Sequence, residues 1–336
     1  MCVHTPVDGD GDGFAAASVT PSAGGPTFMC AGGTDCDDSR DRVFPGAPEL
    51  CNGRDDDCDT MVDEGCDTRP DTCATAREIV VGATGTTTVG GSFGGLHDDY
   101  QTSPICGAMS RGRDAVYYFD LPRGLFDVTI DTIGSDADTV LGVGFSCDAA
   151  GLQLACNDDI VDGDTNSRIW LHRVGSATST TRVFVLVDAF RDSVTGDYLL
   201  NVSRRPAASD SCPAPIAGEP MDISGGGTVL GYNSRFFGAQ RGNCAPATTP
   251  NPPEAVFSLT SSGGGMRFDV YSVDFSPIIY SRRTCDAFGS ELGCSLPASA
   301  GGVSRATLEV PLAPGNLTYF FVDGGRGSYA AYYRPL

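Results

Sequence analysis

Cysteine spacing constrains this chain more than any other feature. Cys73, Cys106, Cys147 and Cys156 are followed 138 or 139 positions later by Cys212, Cys244, Cys285 and Cys294. Other residues follow the same register with small drifts that insertions explain: Phe126-Asp127-Val128 returns as Phe268-Asp269-Val270, Ser167-Arg168 as Ser304-Arg305, and Val187-Asp188 as Val322-Asp323. A unit this long that occurs twice reads as a tandem domain and not as a solenoid repeat. The spacing therefore predicts three parts: an N-terminal module over 1–70, a first copy over 71–205 and a second over 206–336.

Within the first copy the apolar segments are short and rich in Val, Ile, Tyr and Phe. They run over 114–120, 126–131, 139–145, 168–172, 183–187 and 198–202, with Gly, Asp and Ser clusters between them. Gly 44 and Pro 21 add many turns, and no helical period is sustained. The expected fold class is mainly β: two tandem antiparallel, jelly-roll-like β-sandwich domains preceded by a small irregular disulfide-rich, metal-binding module. Fourteen cysteines, an even number, fit an oxidising compartment. Locality pairs Cys73 with Cys106 and Cys147 with Cys156, and by repetition Cys212 with Cys244 and Cys285 with Cys294, although four cysteines permit three connectivities.

These residues resemble the bacterial pre-peptidase C-terminal domain family. The first copy carries DAVYYFDL, FDVTI, Asp138-Thr139-Val140-Leu141, Asn157-Asp158-Asp159, Ser167-Arg168-Ile169 and Gly196-Asp197-Tyr198-Leu199. The second keeps the frame but has Pro277-Ile278-Ile279 and Ser295-Leu296-Pro297 where DTVL and NDD stand in the first. The resemblance implies a β-sandwich accessory domain, typically appended to secreted proteases or cell-surface proteins, without catalytic residues of its own.

Charge concentrates at the N-terminus. The chain carries a formal net charge of -21 and no Lys, and residues 1–70 hold fifteen Asp and Glu against four Arg. Such a surface repels nucleic acid and anionic membranes and attracts cations. Asp8, Asp10, Asp12 and Gly13 place carboxylates at alternate positions before a turn, as in the first half of a calcium loop, but Val19 stands where an EF-hand needs its bidentate Glu. Asp35, Asp37 and Asp38 form a further cluster. Asp55, Asp57 and Asp59 repeat the alternate spacing, followed by Thr60 where Gly is expected and then by Asp63 and Glu64.

The blocks DGDGDGF, TDCDD, PGAPELCNGRDDDCD and VDEG resemble, in that order, the Cys-rich metal-binding repeat named after the copper-binding protein MopE, and also thrombospondin type 3 calcium repeats. The family name implies copper. The residues favour calcium: His4, Met29 and Met61 are the soft donors besides the cysteines, and Cys2, Cys30, Cys36, Cys51, Cys58 and Cys66 form an even set expected to pair.

A second metal site is expected in the first copy, from Asp136, Asp138, Asn157, Asp158 and Asp159, if the DTVL strand runs beside the Cys156 loop. Asp162 and Asp164 lie near it, and turn formation is the alternative role for all of these residues. The second copy lacks these carboxylates and is expected to be metal-free.

Three signals are set aside. Gly90-Gly91-Ser92-Phe93-Gly94 fits the G-x-S-x-G pattern but sits in a Gly/Thr-rich β region. His97 and His172 have no HExxH or neighbouring His. Trp170, Tyr117, Tyr118, Tyr332 and Tyr333 read as core or edge aromatics.

The expected function is that of a secreted or cell-surface, non-catalytic protein, rigidified by calcium and serving as structural, adhesive or binding modules for an extracellular protein or polysaccharide. The alternatives are a copper-binding or metal-acquisition protein and the accessory region of a larger secreted hydrolase. No signal peptide is visible, so the true N-terminus is expected upstream, or the chain is a fragment. No nucleic-acid partner and no membrane insertion are expected.

Overall fold

β-branched and aromatic residues suit a pleated, half-buried surface, and the segments singled out for them are strands. A computed structural model describes residues 8–15, 33–50, 54–63, 69–100, 111–148, 152, 154–161, 163–208, 212, 221–233, 241–245, 254–300 and 302–336. Among these no α-helix occurs, a three-residue 3-10 turn spans Phe288–Ser290, and no described helix is long and apolar enough to cross a membrane. The chain is mainly β.

One five-stranded sheet has the order β1 (Arg77–Glu78), β3 (Asp114–Leu121), β8 (Thr181–Ala189), β5 (Thr139–Gly144), β6 (Ala155–Asn157). A second repeats that order in the C-terminal half, as β10 (Met221–Asp222), β12 (Ala255–Thr260), β18 (Leu317–Asp323), β14 (Ile278–Arg282), β15 (Glu291–Ser295).

A nine-stranded sheet runs through both halves. It begins with β2 (Thr86–Ser92), β9 (Asp197–Pro206), β4 (Gly124–Asp131) and β7 (Arg168–Ser176). It continues with β11 (Thr228–Asn233), β19 (Gly327–Pro335), β13 (Gly265–Ser272), β17 (Val303–Pro311) and β16 (Ala298–Ala300). Its first four strands and its next four follow one pattern, so the repeat in the sequence is a repeat in topology. The halves join where β7 pairs with β11, Ile169 opposite Thr228 and His172 opposite Gly231.

That junction is parallel, as are the short pairings of β1 with β3 and β10 with β12. The sheets are therefore mixed, where the sequence led us to expect antiparallel pairing throughout. β1 and β10 are two residues long and run along the sheet edges parallel to β3 and β12.

Period-2 alternation sends one face of each sheet into a core. Tyr117 and Phe119 on β3, Leu141 on β5, and Val185 and Val187 on β8 share a cluster with Val128 on β4, Leu171 on β7 and Leu200 on β9. Phe257, Ile279, Phe320 and Val322 meet Phe268, Leu308 and Ala331 in the same way in the C-terminal half. Each such buried side chain stabilises the fold by about 1.5–3 kcal/mol. Both cores hold a tyrosine lying over a glycine of the adjacent strand: a Cβ on Gly91 would collide with Tyr198, and one on Gly231 with Tyr329.

His172 and Trp170 sit at the junction of the halves. His172 is fully buried against the Phe257 ring, 4.8 Å between centroids, and the Trp170 indole donates to Gly226 O at 2.8 Å. Ser92 ends strand β2, and no helix follows it, so the G-x-S-x-G match is not a strand-to-helix elbow.

Disulfides differ from the local pairing. Cys73 bonds Cys147, and Cys212 bonds Cys285, one pairing in two copies, while Cys244 bonds Cys294. Register explains the correction. Cys156 lies opposite Gly142, and Cys294 opposite Tyr280, whereas Cys147 and Cys285 each lie five residues further along the chain. Both lie past the ends of β5 and β14, outside the paired register that holds Cys156 and Cys294. Cys156 is also disulfide-bonded, and no described cysteine is free. Cys51, Cys66 and Cys106 lie outside the described residues, as do Cys2 and Cys30.

The acidic N-terminal region has a minimal core of Val43, Ala47 and Leu50, with Phe14 stacked on Phe44 at 5.4 Å. It touches the first half where a Cβ on Gly90 would strike Leu50 and where Arg42 pairs with Asp136 at 2.9 Å.

Candidate metal centre in the acidic N-terminal region

Asp and Asn side chains accept from backbone N–H groups a few residues ahead and so shape tight loops. Asp8 accepts from Gly11 N through Oδ1 (2.6 Å) and from Gly13 N through Oδ2 (3.1 Å). Asp10 Oδ1 accepts from Asp12 N (3.2 Å), and Asp12 Oδ1 from Phe14 N (2.7 Å). Gly11 and Gly13 take the positive φ values, 91° and 98°, that this wrapping requires.

The loop beginning at Asp55 repeats this pattern with one change, Asp55 Oδ1 accepting from Asp59 N (3.1 Å) where Asp8 Oδ1 accepts from Gly11 N. Asp55 Oδ2 accepts from Thr60 N (2.9 Å), Asp57 Oδ1 from Asp59 N (3.1 Å) and Asp59 Oδ1 from Met61 N (2.8 Å). Cys58 and Thr60 occupy the positions of Gly11 and Gly13 and adopt φ of 60° and 79°. A left-handed residue other than Gly costs about 1–2 kcal/mol, and a β-branched one is a true outlier. The sequence accepts that cost to build the same loop twice.

In the first loop the carboxylates converge. Ligand oxygens of Asp10, Asp12 and Asp35 lie within 4.8 Å of one another, and so do those of Asp8, Asp10 and Asp38. Asp35 is 1% exposed. Its Oδ1 accepts from Asp37 N at 2.8 Å, while Asp35 Oδ2, Asp10 Oδ2 and Asp12 Oδ2 are buried and have no hydrogen-bond partner among the described residues. Burial, reinforced by the charges of Asp12, Asp10 and Asp38, pushes the Asp35 carboxyl above its usual range. At an effective dielectric near 20, two carboxylates this close repel by about 3 kcal/mol. Asp38 Oδ1 meanwhile accepts from Gly9 N (2.8 Å) and ties the two chain segments together.

In the second loop Asp55 and Asp57 are joined by Glu49, again within 4.8 Å. Glu49 organises the loop from outside: Oε1 accepts from Asp56 N and Asp57 N, and Oε2 from Asp63 N. Burial raises the Glu49 carboxyl despite these bonds. The sequence reading passed over Glu49. The available signal was its place in the PGAPEL block, but six intervening residues hide a contact that depends on the chain folding back.

The remaining candidates separate. Asp37 turns into a local bend, and donation from the Ser39 hydroxyl, with Arg40 beside it, lowers its carboxyl. Asp59 is exposed at the rim, and Asp63 takes φ of 54° where Glu49 holds its N–H. Glu64 lies outside the described residues. The disulfide Cys36–Cys58 links the two loops, since Cys36 sits among Asp35, Asp37 and Asp38 and Cys58 between Asp57 and Asp59.

Of the site expected in the first half, Asp138, Asp158 and Asp159 act on one another. Asp158 is pushed up to about 7 by burial, then by Asp159 and Asp138, and burial followed by Asp159 raises Asp138. Asp136 instead pairs with Arg42. The Asn157 amide is committed to the fold, its Oδ1 accepting from Arg168 N and its Nδ2 donating to Asp159 O and Thr228 Oγ1. Asp162 lies outside the described residues, and Asp164 caps a turn through Asn166 N. His97 is exposed and paired with Asp71 at 2.7 Å, a contact that raises its basicity.

Residues 35–64 match the family described as "Putative metal-binding motif", under the name Cu-binding MopE. No curated protein matches the chain. Among solved structures, an isomalto-dextranase of Arthrobacter globiformis T6 complexed with panose is similar at 13% identity and a TM-score of 0.20, over 73% of this chain and 39% of that one. The chain thus spans well under half of that protein's length, and likeness at this level carries no argument.

Copper does not fit the donors that the loops present. Among the described residues, the cysteines that converge with Asp35 are joined in a disulfide and cannot ligate as thiolates, Met61 lies at the exposed rim, and the other convergent groups named in the two loops are carboxylates.

Proposed function

We propose that the N-terminal region is a hard-cation module, binding calcium through Asp8, Asp10, Asp12, Asp35 and Asp38 and through Glu49, Asp55 and Asp57. One observation carries this reading: Asp10, Asp12 and Asp35 converge, and each has a buried carboxylate oxygen without a hydrogen-bond partner among the described residues. Buried charge must be paired, protonated or metal-bound, and hard oxygen donors on a flexible loop suit calcium. The rest of the chain then serves as two β-sandwich modules of the pre-peptidase C-terminal kind, non-catalytic and acting in a structural, adhesive or binding role. Support for a secreted or cell-surface setting comes from the disulfides at every described cysteine, which persist under oxidising conditions.

The test is thermal unfolding of the oxidised 336-residue chain with calcium, with copper and with chelator. Calcium raises the first transition. At a hundredfold excess over its dissociation constant each site contributes about 2.7 kcal/mol. Copper that raises it more than calcium, by an effect lost on mutating His or Met, supports metal cargo instead.

A further inference from the structure

A cavity of about 690 Å³ opens at one end of the C-terminal half, where β14 and β17 end and β18 begins. Backbone bonds hold its rim. Leu312 N donates to Gly264 O (2.8 Å), Gly315 N to Ser261 O (2.8 Å), Asn316 N to Ala313 O (3.2 Å) and Ser261 N to Asn316 O (3.1 Å). The 312–316 loop is thereby fixed between β17 and β18, and the cavity is formed before a ligand arrives.

A bulge turns one leucine of the wall inward. Ser281 of β14 pairs with Gly293 and Arg282 with Glu291, which leaves Leu292 of β15 as the extra residue. Bulges bend a strand and re-aim a side chain. Leu292 packs against the C-terminal core and lines the cavity. The matching hairpin of the first half pairs Gly142 with Cys156 and Val143 with Ala155 without a shift of register. There Leu154, which precedes Cys156 by two residues as Leu292 precedes Cys294, is 44% exposed. The repeat carries the same leucine twice and makes it a cavity wall in the second copy.

The lining has an apolar part and a charged end. Leu292, Leu312, Ala313 and Leu317 are aliphatic, and no aromatic ring among the described residues lines the cavity, so it has no stacking face for a base or a sugar. Arg283 supplies the charge. No acid among the described residues lines the cavity, and Arg283, unlike Arg267 and Arg305 of the same half, forms no salt bridge with a described residue. Asn316 adds an amide, and the buried Thr318, on the same face of β18 as Phe320, adds a hydroxyl. The repulsion of anions is weak here, because residues 206–336 hold ten Asp and Glu against eight Arg.

We propose that this cavity binds an aliphatic carboxylate, its unbranched tail against the leucines and its head on Arg283, whose planar fork matches a carboxylate. The site is independent of calcium binding in the N-terminal region.

The test is isothermal titration of the oxidised 336-residue chain with octanoate, in the presence of chelator so that the N-terminal loops take no part. One octanoate per chain is expected, with decanoate tighter by about fourfold per added methylene. Octanol, which keeps the tail and lacks the charge, is expected to bind roughly tenfold more weakly. Arg283 and Leu317 are exposed, so substitutions there keep the fold. Arg283→Gln should hold octanoate no better than octanol, and Leu317→Asn should weaken both. Absence of saturable binding by wild type overturns the site, as does an Arg283→Gln chain that holds octanoate as tightly as wild type. Equal affinity of wild type for octanoate and octanol would overturn it as well.

Discussion

Asp35 in the N-terminal region and Asp269 in the C-terminal half are buried to nearly the same degree, 1% and 6% exposed. Asp269 receives Arg267 Nε at 2.9 Å, an Arg305 guanidinium nitrogen at 2.8 Å and the Thr307 hydroxyl. Burial alone would raise its carboxyl, but bonds from Thr307, Arg267 and Arg305 bring it below the usual range. Asp35 has one backbone N–H and three acidic neighbours, and its carboxyl moves up. A buried carboxylate is stable only when positive charge reaches it. At Asp269 that charge is encoded in the chain, and at Asp35 the function proposed above has it come from solution.

The comparison can be broken in four ways. The largest effect is expected from Cys36→Ser with Cys58→Ser. Opening a 22-residue separation removes about 3 kcal/mol from the N-terminal region by loop entropy, and hydrogen exchange should show both acidic loops opening while the β cores stay protected. Equal loss of protection in the cores would mean that the two regions are not energetically separate.

Asp269→Ala should come close behind. It strands Arg267 and Arg305, and because both guanidiniums reach water the loss falls at the lower end for such pairs, about 3 kcal/mol, read by denaturant unfolding. The loss should be the same with calcium and with chelator. A calcium-dependent loss would erase the contrast between the two regions.

Smaller still is the pH dependence at Asp323, whose carboxyl burial raises to about 7. A folded-state value above the unfolded one means that the native state holds more protons between the two. Stability from this group is therefore complete below about pH 4 and is lost as pH rises through about 7. Asp323→Asn should flatten that part of the stability profile, and an unchanged slope would remove Asp323 from the account. Smallest is Thr60→Gly, which relieves the positive φ and should stabilise the second acidic loop by about 1 kcal/mol. Calcium affinity would rise with it, by calorimetry, and a fall would show that the threonine side chain contributes to the loop.

Where the physics was local, the sequence was readable. Alternate Asp residues before Gly13 announced a loop that bends its backbone around carboxylates, and the Asp55 loop followed despite Thr60. The cysteine register announced a repeat that the strand order displays twice. What stayed hidden was set by pairing across the chain. Glu49 reaches the second loop only by folding back, and Cys73 bonds Cys147 across 74 positions, a pairing that spacing along the chain does not reveal. The parallel joint of β7 to β11 left no mark at all, because either strand reads equally well as an edge.

The most direct test of the central claim is isothermal titration of the oxidised chain with calcium and with copper, on wild type and on Asp35→Asn. The account predicts that wild type binds calcium, that Asp35→Asn loses the site formed with Asp10 and Asp12, and that copper does not displace calcium from it. Calcium binding that is unchanged in Asp35→Asn, or copper binding at that site in preference to calcium, would contradict it.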